Sequence, residues 1–209
     1  MKFKFHDADQ SSQEWLDMRA GLATSSKLAV VMANFGKAFG QPAKDYANKI
    51  ALEKVTGKTI SSDYSNAHME RGVAQEPIAC ALYEDEKFCT VTNGGFFENG
   101  FLGASPDGLV GDDGLIEIKS VIYSVQFKNI IRNSVDPAYK WQCIGNLYFT
   151  GRDWIEFVSY CADFPEDNQL FIHRMVREDY TEEFKMIDER TGEFLELVNK
   201  SIKLLKELG

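Results

Sequence analysis

Asp107, Glu117 and Lys119 lie close together in the stretch GASPDGLVGDDGLIEIKS, residues 103–120, among glycines and apolar residues. Two carboxylates and one ammonium in such a setting can hold a divalent cation and steady a water beside it. The segment LIEIK alternates apolar and charged residues, which is the periodicity of a β-strand. Residues two apart in a strand share a face, so Glu117 and Lys119 point one way and Ile116 and Ile118 the other. The preceding GDDG suits a hairpin turn, because Gly and Asp tolerate the backbone angles a turn requires. Folding the chain about Asp112 and Asp113 brings Asp107 beside Glu117, to within one residue of register. Opposed side chains on one sheet face sit roughly 4.5–5.5 Å apart at Cβ. Carboxylates at that spacing repel, so one must take up a proton or a cation must lie between them. Mg²⁺ and Mn²⁺ favour oxygen ligands of this kind. An acid-x-Lys pair alone is equally at home as surface charge on a solvated hairpin. The longer pattern, Pro-Asp, nine residues, then Glu-Ile-Lys inside an apolar strand, is narrower.

Helix ends supply a second candidate. Arg19 closes a helix that ends in MRAG, and Ser25 and Ser26 open the next a few residues later. A helix N-terminus carries unpaired N–H groups and a partial positive charge that suit an anion. An arginine fork grips phosphate oxygens in bidentate fashion. The same residues can also act only as caps, with Thr24 or Ser25 closing one helix and Arg19 balancing the end of the other. Glu76, in GVAQEP, sits mid-helix before Pro77, where proline weakens and bends a helix. Tyr139 and Gln142 lie one turn apart on one helix face in AYKWQCIGNLY. Lys37 sits in the glycine-containing loop NFGKAFGQPAK.

The motif at Pro106–Asp107 and Glu117–Lys119 resembles the core of the PD-(D/E)XK nucleases. Four further stretches narrow the likeness: EWLDMRAGLATSSKL (14–28), ERGVAQEPIA (70–79), GASPDGLV (103–110) and AYKWQCIGNLYFTG (138–151), with LIEIKS (115–120) completing the ordered set. Together they resemble the lambda exonuclease family, the YqaJ-type viral recombinases, over residues 11–205. The resemblance implies a phage or prophage enzyme that digests one strand of duplex DNA from its 5′ end and leaves 3′ single-stranded overhangs for recombination by strand annealing. It implies Mg²⁺ dependence, with Mn²⁺ able to substitute, a ring-shaped homotrimer and a partner single-strand-annealing protein. Glu76, four residues after Gly72, matches the family's third metal-binding acid, and the backbone carbonyl of Ile118 a further ligand. Gln142 matches a glutamine next to the reacting water. Arg19 and Ser26 match contacts to the 5′-terminal phosphate; Ser25 is added from its place at the same helix start. Tyr139 and Lys37 are candidate DNA contacts. In this scheme Asp107, Glu117 and Glu76 hold the metal, and the metal lowers the pKa of its water. Lys119 and Gln142 orient that water. An endonuclease on the same core and a non-catalytic DNA-end-binding protein are the rival readings.

Composition bounds these readings. The chain has 209 residues, which is most simply one nuclease domain, 1–209. Hydrophobic content of 44% with 26% charged residues fits a globular protein. No apolar run approaches a membrane span and no leader pattern is present, so the expectation is a protein of the bacterial cytoplasm with no membrane partner. Cys80, Cys89, Cys143 and Cys161 show no C-x-x-C spacing, which speaks against zinc and against the iron–sulfur members of the nuclease superfamily. His6, His68 and His173 show no ligand spacing. A net charge of −9 is unlike a DNA-coating protein. A ring around DNA would need less electrostatic help.

The elements that must position these residues follow from periodicity and breakers. Helices are expected over 11–21, from 24 onward, and over 43–56, 65–85, 123–132, 138–149 and 181–207. Ser11 and Glu14 have capping-box spacing and Gly21 suits a stop. Strands are expected at 96–98, 101–104, 108–111, 114–121, 154–161 and 169–176. The fold class is α/β (α+β), a restriction-endonuclease-like core with a central mixed β-sheet flanked by helices.

Overall fold

The computed structural model describes residues 3–60 and 67–207; for residues 67–69 only the helical backbone is described. Residues 65 and 66 of the helix expected over 65–85, and the side chain of His68, lie outside the described residues.

The chain builds two sheets and seven α-helices among the described residues. The larger sheet runs β3 (Val91–Asn93), β6 (Gly108–Val110), β7 (Gly114–Ser120), β8 (Trp154–Tyr160) and β9 (Leu170–Val176). It is mixed: β7 and β8 are parallel, and the other neighbours antiparallel. A parallel pair needs a crossover, and two helices supply it, α5 (Tyr123–Arg132) and α6 (Lys140–Thr150). The smaller sheet joins β1 (Lys4–His6), β4 (Phe96–Glu98), β5 (Leu102–Ala104) and β2 (Ala23–Thr24). The single central sheet expected from sequence is therefore one mixed sheet with a second, smaller one beside it. The strands β1, β2 and β3 are not among those expected from sequence; β1 and β2 are defined by pairing with segments distant in the chain, Lys4 with Glu98 and Ala23 with Leu102.

The two faces of β7 go to different layers. Leu115, with Leu109, Ile155, Phe157 and Met175, packs into the main core against α6, α3 (Gln41–Thr56), α2 (Leu28–Met32) and α7 (Thr181–Glu207). Ile116 and Ile118 face a smaller cluster with Ala79 and Tyr83 of α4 (Ala67–Lys87). Burying each such side chain contributes about 1.5–3 kcal/mol. Within α7, Phe184, Ile187, Phe194 and Val198 are core residues, as their spacing predicts. α4 continues through Pro77.

Two local expectations need correction. The N-cap of α1 (Gln13–Arg19) is Ser12, which accepts a bond from the Trp15 amide at 3.2 Å; Ser11 instead takes a positive φ of 67° and turns the chain into the helix. The helix expected from residue 24 begins as a 3₁₀ turn, Ser25–Lys27, before α2. Ser25 packs there against Gly145 of α6, where a Cβ would meet its side chain at 3.2 Å.

The loop before Asp107 is held from several sides. Gln10 donates to the Pro106 carbonyl at 2.8 Å, and Trp15 donates to Ser105 Oγ at 2.9 Å. Ser105 in turn donates to the Gly95 carbonyl at 2.7 Å. A Cβ on Gly94 would stand 1.8 Å from the Pro106 oxygen, so only glycine fits. Gly94→Ala is accordingly expected to destabilise the fold by about 1–3 kcal/mol, the usual cost of overpacking. Thermal unfolding checks this, and an unchanged melting temperature would show the loop to be more yielding than its packing implies.

Candidate active site

The β6–β7 hairpin pairs Gly108 with Ile116, Leu109 with Leu115 and Val110 with Gly114. Continued by one step, that register sets Asp107 opposite Glu117. The Asp107 amide donates to the Ile116 carbonyl at 3.1 Å, and the Ile118 amide donates to Asp107 Oδ2 at 2.6 Å. Lys119 reaches both acids: it pairs closely with Glu117, and its Nζ lies 3.8 Å from Asp107 Oδ2.

Glu117 is fully buried, at 0% exposure. Three donors hold it: Lys119 Nζ and Gln142 Nε2 on Oε1, and Asn146 Nδ2 on Oε2 at 2.8 Å. Gln142 and Asn146 stand four apart on α6, one turn on the same face. Asn146 is a site residue the sequence reading missed, although its spacing from Gln142 is a usable signal. Ser105, next to the Pro-Asp pair, is another. Tyr139 precedes α6 with its ring 5.4 Å from the Lys119 ammonium and stacked on Phe157 at 5.9 Å.

Glu76 comes from the helix on the opposite face. Arg71 donates to Ser120 Oγ at 3.1 Å and to the Ser120 carbonyl at 3.2 Å, and Ser120 donates to Gln75 at 2.5 Å. These bonds pin α4 to the end of β7 and bring Glu76 within electrostatic range of Asp107 and Lys119. Glu76, Gly72, Ile118, Lys119 and Tyr139 line a common cleft of about 630 Å³. Gly72 leaves its part of that wall open, since a Cβ there would meet nothing within 4 Å.

The electrostatics record the crowding of negative charge. Burial first, then repulsion from Asp107, pushes Glu117 up to about 8 and Glu76 up to about 7. Burial also raises Asp107, against the pull of Lys119 and the Ile118 amide. Burial alone would lower Lys119, but Glu117 and Asp107 outweigh it and hold the ammonium charged well above its ordinary value. Lys119 is thus a hydrogen-bond donor in this arrangement and not a base. Among the described residues no three His, Cys, Asp or Glu side chains already converge as a closed metal cage, and the Lys119 ammonium is paired with both acids. The donor set nevertheless fits a hard cation that keeps several waters, which needs only one or two carboxylates. Asn146 Oδ1, on the amide whose Nδ2 donates to Glu117, is buried and without a hydrogen-bond partner.

A pH dependence follows. Glu117 has a folded-state value near 8 against an ordinary 4.5, so the folded chain holds its proton the more tightly. The associated stability is complete below about 4.5 and is lost as pH rises through about 8. Glu76 adds to the loss as pH rises through about 7. The melting temperature of EDTA-treated protein is expected to fall from pH 5 to pH 8.5, with Mg²⁺ restoring most of the loss and Glu117→Gln flattening the curve. A metal-free melting temperature that rises over this range would contradict the shifts.

The anion-binding candidates are partly brought together. Arg19 lies over the Trp15 ring at 3.9 Å and within electrostatic range of Tyr46 and Glu53. The Tyr46 hydroxyl accepts from the Thr24 amide at 3.0 Å, and Thr24 Oγ1 and Ser26 Oγ are 3.1 Å apart. Trp15 links this group to Ser105 and so to the Asp107 loop. Ser26 is exposed, whereas Ser25 is 2% exposed and packs against Gly145 of α6. Lys37 is exposed in its loop and is not part of the cleft lining; its carbonyl accepts from Arg190 at 3.0 Å. All four cysteines are free thiols. No described helix is long and apolar enough to cross a membrane.

The YqaJ-like viral recombinase domain matches residues 14–153. The structure of an alkaline exonuclease, LHK-Exo from Laribacter hongkongensis, superposes with a TM-score of 0.83 at 34% identity, over 94% of this chain and 97% of that one. A second structure of LHK-Exo, in complex with dAMP, matches to the same extent. A phage-related exonuclease from Haemophilus somnus 129PT shares the fold, with a TM-score of 0.67 at 14% identity over 93% of this chain and 99% of that one. No curated protein sequence gives a significant match.

Proposed function

The chain belongs to the YqaJ-like viral recombinase family, and from that premise we propose that it is, as a single nuclease domain, a Mg²⁺-dependent exonuclease that degrades one strand of double-stranded DNA from the 5′ end. The observation that carries the reading is the meeting of Asp107, Glu117 and Lys119 at the hairpin mouth, beside a cleft that Glu76 lines. LHK-Exo is described as an alkaline exonuclease, and dAMP, found with it, is the kind of product end-wise DNA hydrolysis releases. An alkaline working range also suits acids whose protons leave only near pH 7–8.

Asp107, Glu117 and Glu76, with the Ile118 carbonyl, would hold the cation. When bound, it supplies charge neutralisation at the phosphate and acidifies a water. This chain's own residues do the rest. Lys119 donates a hydrogen bond to the attacking water and offsets negative charge gathering on the phosphate. Gln142, fixed by its bond to Glu117, orients the same water. Asn146 fixes the orientation of the Glu117 carboxylate through its bond to Oε2. Tyr139 confines the Lys119 ammonium from the open side. Held geometry of this kind can supply most of a barrier reduction.

The product would be a 3′-overhanging duplex for strand-annealing recombination, in the cytoplasm of a bacterial host. A homotrimeric ring and a single-strand-annealing partner complete the proposal. An acidic chain that encircles its DNA is retained by closure and needs few basic contacts. The test is digestion of a linear duplex in Mg²⁺ beside a covalently closed circle. Loss of the linear form with the circle intact is expected; cleavage of the circle would identify an endonuclease instead.

A further inference from the structure

Helix α3 turns two polar side chains toward the loop that runs from Arg19 to Ser26. Tyr46 and Glu53 stand seven residues apart, two turns along one helix face. Glu53 is buried and accepts from the Gly21 and Ile60 amides, both at 2.9 Å, with one carboxylate oxygen for each. The Tyr46 hydroxyl accepts from the Thr24 amide at 3.0 Å and donates to the Leu22 carbonyl at 3.4 Å. The backbone at residues 21, 22 and 24 is thus held by side chains of α3. Thr24 passes the constraint on, because its hydroxyl lies 3.1 Å from that of Ser26. Arg19, at the other end of the loop, is left with its donors unused. Its guanidinium rests on the Trp15 ring at 3.9 Å, and among the described residues none of its N–H groups has an acceptor. Glu53 lies within electrostatic range of Arg19, but both of its oxygens already serve backbone amides. A part-buried guanidinium without an acceptor beside hydroxyl groups suits an anion.

We infer that Tyr46 is a positioning residue for end recognition: its hydroxyl fixes the backbone at Leu22–Thr24 so that Arg19 and Ser26 engage one terminal phosphomonoester together. This rests on the 5′-end reading proposed above and names a residue that sets its specificity. A phosphomonoester carries about two negative charges and three free oxygens, enough to meet a guanidinium fork and a hydroxyl at once. A 5′-hydroxyl end offers a single neutral oxygen and gains little from the same pair of donors. The advantage of the phosphorylated end therefore depends on the spacing of Arg19 and Ser26, and the bond between Tyr46 and the Thr24 amide constrains that spacing. Tyr46 also packs, with its ring stacked on Phe194 at 5.6 Å. Phenylalanine keeps that ring and removes the hydroxyl alone, so the two roles separate.

The experiment is fluorescence anisotropy in EDTA, with a short blunt duplex labelled at a 3′ end and carrying either 5′-phosphate or 5′-hydroxyl ends. The proteins are the wild type, Tyr46→Phe and, as a control, Tyr83→Phe, which removes a hydroxyl bonded to Glu156 on another helix. Circular dichroism checks the fold of each. The wild type is expected to bind the phosphorylated duplex more tightly. Tyr46→Phe is expected to lose about threefold to tenfold of that preference, the worth of one hydrogen bond, and Tyr83→Phe to keep it. A folded Tyr46→Phe protein with the wild-type preference would overturn the inference. So would a wild type that binds both ends equally, or a Tyr83→Phe protein that loses the preference to the same extent. Equal weakening of both ends in Tyr46→Phe would overturn it too, and assign the hydroxyl to packing alone. Binding is read without cleavage. A wild type that prefers the phosphorylated end but leaves linear duplex intact in Mg²⁺ would therefore count against the nuclease reading and leave the role of Tyr46 standing.

Discussion

Lys119→Ala is expected to lower Mg²⁺-dependent cleavage by on the order of 10³-fold or more, while folding and binding to duplex ends stay largely intact. Among the described residues Lys119 is the cation placed against both acids, close to Glu117 and 3.8 Å from Asp107. Removing it takes away the donor that would hold the water and neutralise the phosphate, and it leaves the strand backbone unchanged. Glu117→Gln is expected to match it by a different route. The amide keeps the size of the side chain and can still accept from Asn146, but it cannot offer a full negative charge to a cation. Single-turnover digestion of a linear duplex measures both effects apart from binding. A folded Lys119→Ala protein that turns over like wild type would remove Lys119 from the chemistry.

Arg19→Ala is expected to abolish a preference for 5′-phosphorylated over 5′-hydroxyl ends. The guanidinium lies on Trp15, whose indole reaches Ser105 beside the Pro106–Asp107 turn, and it shares electrostatic range with Tyr46, which binds Thr24. Ser26 lies in the same group through Thr24. Burial lowers the Arg19 pKa, and an incoming phosphate would compensate that desolvation. The comparison of initial rates on the two ends is the check. If Arg19→Ala slows both ends equally and keeps the preference, the terminal phosphate is held elsewhere and Arg19 serves the packing of α1. Ser26→Ala is expected to have the same direction and a smaller size; Ser25→Ala should leave the preference alone, because that side chain faces α6.

The β6–β7 hairpin was legible because its information is local. Turn residues at 111–114 fix the register, and a period of two fixes the face, so Asp107, Glu117 and Lys119 fall together without knowledge of the rest of the chain. Helices α5, α6 and α7 were legible for the same reason, being long and periodic. What period alone does not give is which layer an element meets. The helix at 123–132 reads correctly as a helix, yet its polar stripe is the buried one, because β8 and the segment after it offer Ser159 and the Gln169 carbonyl as partners. Asn146 joined Glu117 only once α6 was laid across β7. Ser25 looked like a cap open to solvent until the glycine at 145 let α6 close over it. Of the small sheet, the strands at 96–98 and 101–104 were legible; β1 and β2, and the separation of these four strands from the larger sheet, were not, because they are defined by partners distant in sequence, such as Lys4 with Glu98.

The central claim is that Asp107 and Glu117, with Glu76, form one seat for a divalent cation. Crystals grown with Mn²⁺ and measured at the manganese absorption edge test it directly. The predicted result is an anomalous peak about 2.0–2.2 Å from carboxylate oxygens of Asp107 and Glu117, absent in Glu117→Gln crystals, with Lys119 displaced from between the acids. No peak at these residues, in protein that cleaves DNA in the same Mn²⁺ buffer, would contradict it.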